Sequence, residues 1–115
     1  MAKENGVVIH SNRWFWGIAE YIIIAGGNGT CKVCFEDRDP GVAYLSDVSV
    51  HISARGQGLG NELLKIAIER ARLAGCKTLR LWANPNDWPI EWYKRHGFVY
   101  KWTNLDDMDE LDLAL

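Results

Sequence analysis

The chain has 115 residues, of which 48% are hydrophobic and 24% are charged, and its formal net charge is −2. This length fits one compact domain, predicted to span residues 1–115, and the ordinary globular composition excludes a disordered or fibrous chain. A net charge so close to neutral argues against a nucleic-acid partner, because a nucleic-acid-binding surface is normally visibly basic.

Apolar runs in the sequence are too short for a membrane segment. The most apolar run near the N-terminus covers residues 22–25, whereas roughly 20 residues are needed to span a bilayer. Residues 1–5 lead only into the brief apolar run 7–9, so we expect no signal peptide, no membrane association and a cytoplasmic location. Three cysteines, an odd number, fit that reducing compartment better than a disulfide framework.

Two of the cysteines, Cys31 and Cys34, have the C-x-x-C spacing of redox and metal motifs. They lie within an alternating run, however, and side chains three positions apart on a strand point to opposite faces. A zinc site would need a second pair where only Cys76 remains, and the three histidines are isolated. We therefore expect no metal site.

The first forty residues predict short strands joined by turns. The predicted strands are residues 7–10, 21–25 and 30–36, with turns at 26–29 and 37–41. Alternation places Cys31, Val33 and Phe35 on one face of the third strand, which we expect to be buried. Between residues 11 and 20 the pattern is unclear. The aromatic run 14–16 favours core or interface over a ligand cage, because large aromatic side chains mostly bury area.

The middle of the chain predicts a strand, a helix and a second strand. An alternating run, in which residues 44, 46, 48, 50 and 52 share one parity, predicts a strand over 44–52. Apolar residues at intervals of three and four then predict a helix that begins at Gln57 or Gly58 and stops at Gly75. Residues 77–83 are the next strand, and the right-handed crossover expected of such a unit makes the two strands parallel.

A short helix follows. Asn86 or Asp87 can cap it, Pro89 fits its first turn, and it ends before Gly97. Together these elements predict an α+β fold with a mixed central sheet, whose N-terminal strands are antiparallel and whose centre is a parallel strand-helix-strand unit.

The last predicted strands are residues 98–102 and 109–115. Leucines alternate on one face of the second, with Glu110 and Asp112 on the other. These two acids belong to an acidic run over residues 106–112, which is typical of a solvated turn; the alternative is that it attracts a cationic acceptor.

The junction between the middle strand and its helix predicts an anion site. Gly56, Gly58 and Gly60 carry no Cβ and allow successive backbone N–H groups to turn towards one anion. The unpaired N–H groups of the first helical turn add partial positive charge at the same place. A phosphate or pyrophosphate is the expected ligand. The alternative is that the glycines only make a tight turn, but three in five residues is more than such a turn needs.

Two common phosphate motifs are excluded at this junction. A P-loop needs Lys and then Ser or Thr after its last glycine, whereas Asn61 and Glu62 follow here. A dinucleotide fingerprint needs a G-x-G-x-x-G spacing and an acid at the end of the next strand, which instead ends in residues 82–84, Trp-Ala-Asn.

Two separated motifs resemble the GNAT superfamily of acyl-CoA-dependent N-acetyltransferases. The matching residues are Arg55, Gly58 and Gly60, in the pattern R-x-x-G-x-G after a strand, and further along Asn86, Tyr93, Gly97 and Phe98. The two motifs occur in the family's order and cover about the last seventy residues, which makes them far more specific than one glycine loop. The first forty residues carry no recognisable match.

The resemblance implies acetyl-CoA as cosubstrate, bound where the two central parallel strands splay apart. Backbone groups of Val48, Ser49 and Val50 would hydrogen-bond the pantetheine arm as an added strand would. A main-chain N–H near Val48 would stabilise the oxyanion. The pyrophosphate would lie on the amides of Gly56, Gln57, Gly58, Leu59, Gly60 and Asn61, with help from Arg55.

The resemblance also implies roles for two residues near the C-terminus. Tyr93 matches the family's general acid, which protonates the departing CoA thiolate; the alternative is a core tyrosine whose hydroxyl reaches the surface. Asn86 matches a recurring position of the family and is included in the expected cofactor site, although it can equally be a plain helix cap.

The general base and the acceptor wall stay open at this stage. Some relatives carry Glu where this chain has Ser46, which leaves Asp47, His51, Glu20 or an ordered water chain as candidates. The family usually builds one wall of the acceptor site from two helices between its first and second strands, and residues 11–20 are too few for them. The acceptor pocket is therefore either open or completed by a partner chain, as in a homodimer.

The resemblance favours an N-acetyltransferase that moves the acetyl group of acetyl-CoA directly to a primary amine. The short N-terminal half and the missing base leave an alternative, a CoA-binding sensor or interaction module of the same fold. A third hypothesis, nucleotide or polyphosphate binding without CoA, rests on the glycine loop alone.

Overall fold

A computed structural model describes residues 6–87 and 89–115 as one mixed sheet with helices. The strands are β1 (Val8–Trp14), β2 (Gly17–Ile24), β3 (Gly29–Glu36), β4 (Val42–Val50), β5 (Thr78–Ala83), β6 (Val99–Thr103) and β7 (Asp109–Ala114), and the helices are α1 (Leu59–Leu73) and α2 (Pro89–Arg95). The expected absence of a signal peptide concerns residues 1–5, which lie outside the described residues. The single-domain assignment stays a prediction.

The strand order β1-β2-β3-β4-β5-β7-β6 confirms the predicted fold class. β4 and β5 are parallel, and the other neighbouring strands are antiparallel. The parallel pairing is short, because it joins only Val42, Ala43 and Tyr44 of β4 to residues 78–80 of β5. Beyond Tyr44 the two strands separate and open a cleft at the centre of the sheet.

A β-bulge interrupts β4 at the start of this cleft. Asp47 and Val48 together lie opposite one residue of β3, Cys31, because the register shifts between Thr30↔Ser49 and Lys32↔Ser46. Asp47 has a positive φ of 56°, a left-handed conformation that Asp tolerates better than most residues. Because of the bulge, the alternation predicted for residues 44–52 does not continue through the whole strand. Ser46 lies on one face of the sheet, while Val48 packs against the core on the other.

Residues 11–20 form part of a β-hairpin. β1 and β2 pair from Val8↔Ile23 to Trp14↔Gly17, which leaves Phe15 and Trp16 as a two-residue turn. Phe15 is 84% exposed and Trp16 is 46% exposed, so the prediction that this aromatic run lies in the core is wrong, and its use as an interface stays a prediction. The usual glycine or asparagine signal for such a turn is absent, which explains why the sequence pattern was unclear.

Both helices pack on one face of the sheet. Leu63 and Leu64 of α1 and Ile90 and Tyr93 of α2 share one buried cluster with Cys31 and other inward side chains of the strands. α1 ends at Leu73, just before the predicted stop at Gly75, whose φ of 83° allows the N–H of Cys76 to bond the carbonyl of Ala71 at 3.0 Å. No helix within residues 6–87 and 89–115 is long and apolar enough to cross a membrane.

The opposite face of the sheet is not covered by either described helix. On this face Glu110 and Asp112 of β7 are buried, and both contact Arg80 of β5, at 3.1 Å and 2.9 Å. The prediction that the whole acidic run is a solvated turn is therefore wrong for these two residues. Burial is possible because Arg80 neutralises carboxylates that would otherwise be unpaired.

Candidate functional site

The cleft between β4 and β5 opens on the helical side into a cavity of about 450 Å³. It is lined by Val48, Ser49, Val50, Arg55, Gly56, Gly58, Leu59, Gly60, Pro89, Trp92 and Tyr93. Nine of these eleven residues were predicted from the sequence as cofactor-binding or catalytic. The cavity therefore brings together the end of β4, the glycine loop, the start of α1 and one face of α2.

The backbone N–H groups of residues 56–61 have no hydrogen-bond acceptor in the part of the chain that the structure describes. The first paired amide of α1 is that of Glu62, which donates to the Gly58 carbonyl at 3.1 Å. Buried or clustered backbone donors are normally satisfied, so six successive free N–H groups at a helix start can bind an anion.

Two glycines give the loop this shape. Gly56 and Gly58 have φ values of 83° and 79°, a region that L side chains rarely adopt. Gly60 has no such requirement, because it lies inside α1. A Cβ at Gly60 would lie 3.5 Å from the indole of Trp92, so its missing side chain lets α2 come close to the helix start.

Arg55 is the only lysine or arginine among the described residues that line the cavity. Its Nε donates a hydrogen bond to the Val50 carbonyl at 3.2 Å, which ties the guanidinium to the end of β4 while the residue stays exposed. Arg55 therefore adds a full positive charge to the partial charge of the α1 N-terminus on the rim of the same cavity.

Tyr93 lines the cavity and is only 9% exposed. Its ring packs edge-on against Trp92 and Phe98, with centroids 5.0 and 5.4 Å away. Burial, with a smaller contribution from Cys31, raises the pKa of the Tyr93 phenol to about 12. The phenol is therefore a neutral donor throughout the physiological pH range.

Three predicted cofactor residues do not line the cavity. Gln57 is exposed within the loop, and Asn86 is exposed with its N–H bonded to the side chain of Asn84 at 2.9 Å. Asn61 faces a neighbouring groove, where its Oδ1 lies 3.0 Å from Nε2 of His96. Capping of α2 by Asn86 or Asp87 stays a prediction, because position 88 lies outside the described residues.

The three candidate bases are also not among the residues that line the cavity. Glu20 accepts two hydrogen bonds from Arg70, at 2.8 and 2.9 Å. Asp47 is exposed at the bulge, 3.5 Å from the Lys32 ammonium. Nδ1 of His51 lies 2.8 Å from the Ser53 hydroxyl. A catalytic base among these residues stays a prediction.

Pro89 and Trp92 in the cavity lining, and the bulge at Asp47, were not predicted from the sequence. A signal for Trp92 was present in Gly60, a glycine inside a predicted helix without a turn to make, which indicates a close neighbour. Asp47 gave no such signal, because aspartate is common at exposed strand positions as well as in left-handed ones.

Known proteins resemble this chain in sequence and in fold. The family model described as Acetyltransferase (GNAT) domain matches residues 11–100. A thialysine N-epsilon-acetyltransferase from Bos taurus is 35% identical over 69 residues, which cover 60% of this chain and 37% of that protein. The chain spans between 27% and 37% of the length of the curated relatives that it matches.

Solved structures match over almost the whole chain. An IAA acetyltransferase from Bacillus cereus has a TM-score of 0.74 at 17% identity and covers 96% of this chain and 100% of its own. A GNAT family acetyltransferase from Elizabethkingia anophelis, solved with acetyl-CoA bound, has a TM-score of 0.74 at 16% identity, with coverages of 96% and 99%. The strand order, the cleft with its free amides and a family match that includes both motifs agree, and the chain belongs to the GNAT family of acetyltransferases.

Proposed function

We propose that this protein transfers the acetyl group of acetyl-CoA to a primary amine. The observation that carries the proposal is the row of free N–H groups over residues 56–61 at the mouth of the β4–β5 cleft. The solved relative with acetyl-CoA bound supports this ligand, since it has the same fold. A diphosphate on these amides, beside Arg55, would place the rest of the cofactor along the open edge of β4.

The chain positions the reactants rather than supplying a nucleophile. When bound, acetyl-CoA supplies the acetyl group as a thioester, which a neutral amine attacks directly. The backbone of β4 holds the thioester, and the bulge at Asp47 and Val48 leaves main-chain groups outside the regular ladder, where an N–H can stabilise the oxyanion.

Tyr93 is proposed to give its proton to the leaving sulfur, while the proton that the amine loses as the amide forms passes to solvent water, from which the phenol is restored. A phenol with a pKa of about 12 would be a poor acid towards an ordinary thiolate, whose thiol has a pKa of about 8.5. Burial acts on sulfur in the same direction, however, because it raises the pKa of the Cys31 thiol in the same cluster. A leaving thiolate shielded from water would therefore be a stronger base than a solvated one, which favours proton transfer from Tyr93.

The test is release of CoA thiol from acetyl-CoA over a panel of primary amines. We expect turnover with the wild-type chain and a fall of about tenfold to a hundredfold in kcat for Tyr93→Phe, with acetyl-CoA affinity nearly unchanged. Tyr21→Phe is the matched control, because Tyr21 lies on β2, away from β5, and does not line the cavity. Equal activity of Tyr93→Phe would remove this residue from the mechanism.

The candidate function without catalysis is a CoA-binding sensor of the same fold. It is supported by the positions of Glu20, Asp47 and His51, which do not line the cavity. Binding of acetyl-CoA without turnover of any amine is the result that would favour it. A larger thermal shift with ATP than with acetyl-CoA would instead favour a general phosphate site.

A further inference from the structure

A pair of tryptophans lies beside the cleft on the face of the sheet that the described helices leave uncovered. Trp82 follows Arg80 on β5, in the part of the strand that has separated from β4. Its neighbours Leu81 and Ala83 contribute to the core on the helical face, so alternation directs Trp82 to the opposite face. Trp102 of β6 packs edge-on against it, with centroids 5.8 Å apart.

Both indoles are accessible, with 37% of Trp82 and 51% of Trp102 exposed. The polar edge of Trp102 is occupied, because its Nε1 donates to Glu110 Oε1 at 2.8 Å. The accessible part of Trp102 is therefore ring surface, which attracts cations and apolar groups and has no hydrogen-bond donor to offer an anion.

The charge around this pair is negative. β5, β6, β7 and the turn between the last two carry five carboxylates and two cations. One of these cations, Arg80, is held by Glu110 and Asp112 at 3.1 and 2.9 Å. The other is Lys101, on β6. A positively charged ligand would be attracted to this corner of the sheet, and an anionic one would be repelled.

We propose that Trp82 and Trp102 form the acceptor subsite, and that the acceptor is an aliphatic amine with a second cationic group. The proposal rests on the proposed acetyl transfer. The helical side of the cleft is lined by the glycine loop, Trp92 and Tyr93, where the cofactor is expected, which leaves the uncovered face for the acceptor. One amine would enter the cleft beside Ser49 while the second cation rests against the tryptophans.

The test compares amines of one chain length that differ in their far end. Binding of butylamine, putrescine and γ-aminobutyrate to the CoA-saturated protein is measured by calorimetry. We expect putrescine to bind about threefold to tenfold more tightly than butylamine, the range of a cation–aromatic contact, and γ-aminobutyrate to bind more weakly than either.

Substitutions test whether the two tryptophans cause the preference for putrescine over butylamine. Trp102→Leu should remove the difference between putrescine and butylamine, whereas Trp102→Phe, which keeps an aromatic ring, should retain part of it. Trp16→Leu is the matched control, because Trp16 is similarly exposed, at 46%, on the distant hairpin turn and should leave the preference unchanged. Should Trp102→Leu not fold, Trp102→Phe and Trp82→Phe still report the site through partial loss.

Equal affinity of wild-type protein for putrescine and butylamine would overturn the proposal, as would a preference that Trp102→Leu leaves intact. Acetyl transfer is measured separately. Preferential putrescine binding that depends on Trp102 but is not followed by CoA release would leave the subsite standing and count against the proposed reaction. Turnover of butylamine and putrescine with equal efficiency and affinity would support the proposed reaction and count against the subsite.

Discussion

The chain contains two glycine-rich loops that look alike in sequence and differ in what their backbones do. Residues 26–29 and residues 56–60 each contain three glycines, two of them at positive φ. In the first loop the Asn28 carbonyl accepts from His51 at 2.7 Å, and Gly29 enters the ladder with Ile24 and Val50. In the second loop the chain continues into a helix whose first N–H groups are free. Glycine content alone therefore does not predict an anion site; the element that follows decides it.

The largest effect is expected for Gly58→Val. A side chain at a φ of 79° strains the loop that carries the free amides and would occupy open space where Gly58 lines the cavity, so acetyl-CoA affinity should fall by about tenfold to a hundredfold, the value of one or two lost charge-assisted hydrogen bonds. Gly27→Val is the control, because Gly27 also has a positive φ and a Cβ there would meet open space. It should lose comparable stability by thermal unfolding and keep its affinity. Equal loss of affinity in both variants would show that the second loop has no special role in binding the cofactor.

The next largest effect is a loss of stability, expected for a substitution in the first loop. A Cβ at Gly29 would lie 2.8 Å from Ile24 Cγ1 and 3.3 Å from Leu63 Cδ1, so Gly29→Ala overpacks the core. We expect the free energy of unfolding in urea to fall by about 1–3 kcal/mol, with acetyl-CoA affinity unchanged in the folded protein.

Gly60→Ala, in the second loop, should lower acetyl-CoA affinity and leave stability unchanged. Its Cβ makes an ordinary 3.5 Å contact with Trp92 but enters the cavity, so affinity falls while stability does not.

The same contrast shows why much of the site could be predicted from sequence. The positions of Gly56 and Gly58 are visible because a left-handed backbone selects glycine, and the helix after them is visible from its apolar periodicity. The end of β4 follows from its alternation. Rules of this kind relate residues that are close together in the chain, so they can be applied to a single sequence.

What sequence could not predict depends on distant partners. Glu110 looks like part of a solvated acidic turn, and its burial requires Arg80, far earlier in the chain, on the neighbouring strand. The hairpin at Phe15 and Trp16 is set by pairing of β1 with β2 rather than by a turn motif. The bulge at Asp47 requires a register shift against β3, which the parity of one strand cannot reveal.

A smaller effect is expected for the cation of the second loop. Arg55→Gln removes the charge beside the free amides, and acetyl-CoA affinity should fall by about threefold to tenfold at low ionic strength. The loss should shrink as salt is added, because Arg55 is exposed. Arg38→Gln is the control, since Arg38 is an exposed arginine that stacks on Trp16 at 4.8 Å, away from the cavity. A salt-independent loss would mean that Arg55 acts only by holding Val50.

The smallest expected effect concerns the attachment of α2 to the second loop, for which the first loop has no counterpart. His96 lies 2.8 Å from the Trp92 carbonyl and 3.0 Å from Asn61 Oδ1, so it joins the helix that carries Tyr93 to the end of the free-amide row. His96→Ala and Asn61→Ala should each weaken acetyl-CoA binding by about twofold to threefold. The double variant should lose no more than one of the singles, because both remove the same link. Strictly additive losses would show that the loop holds its free amides without α2, and the difference between the two loops would then lie in α1 alone.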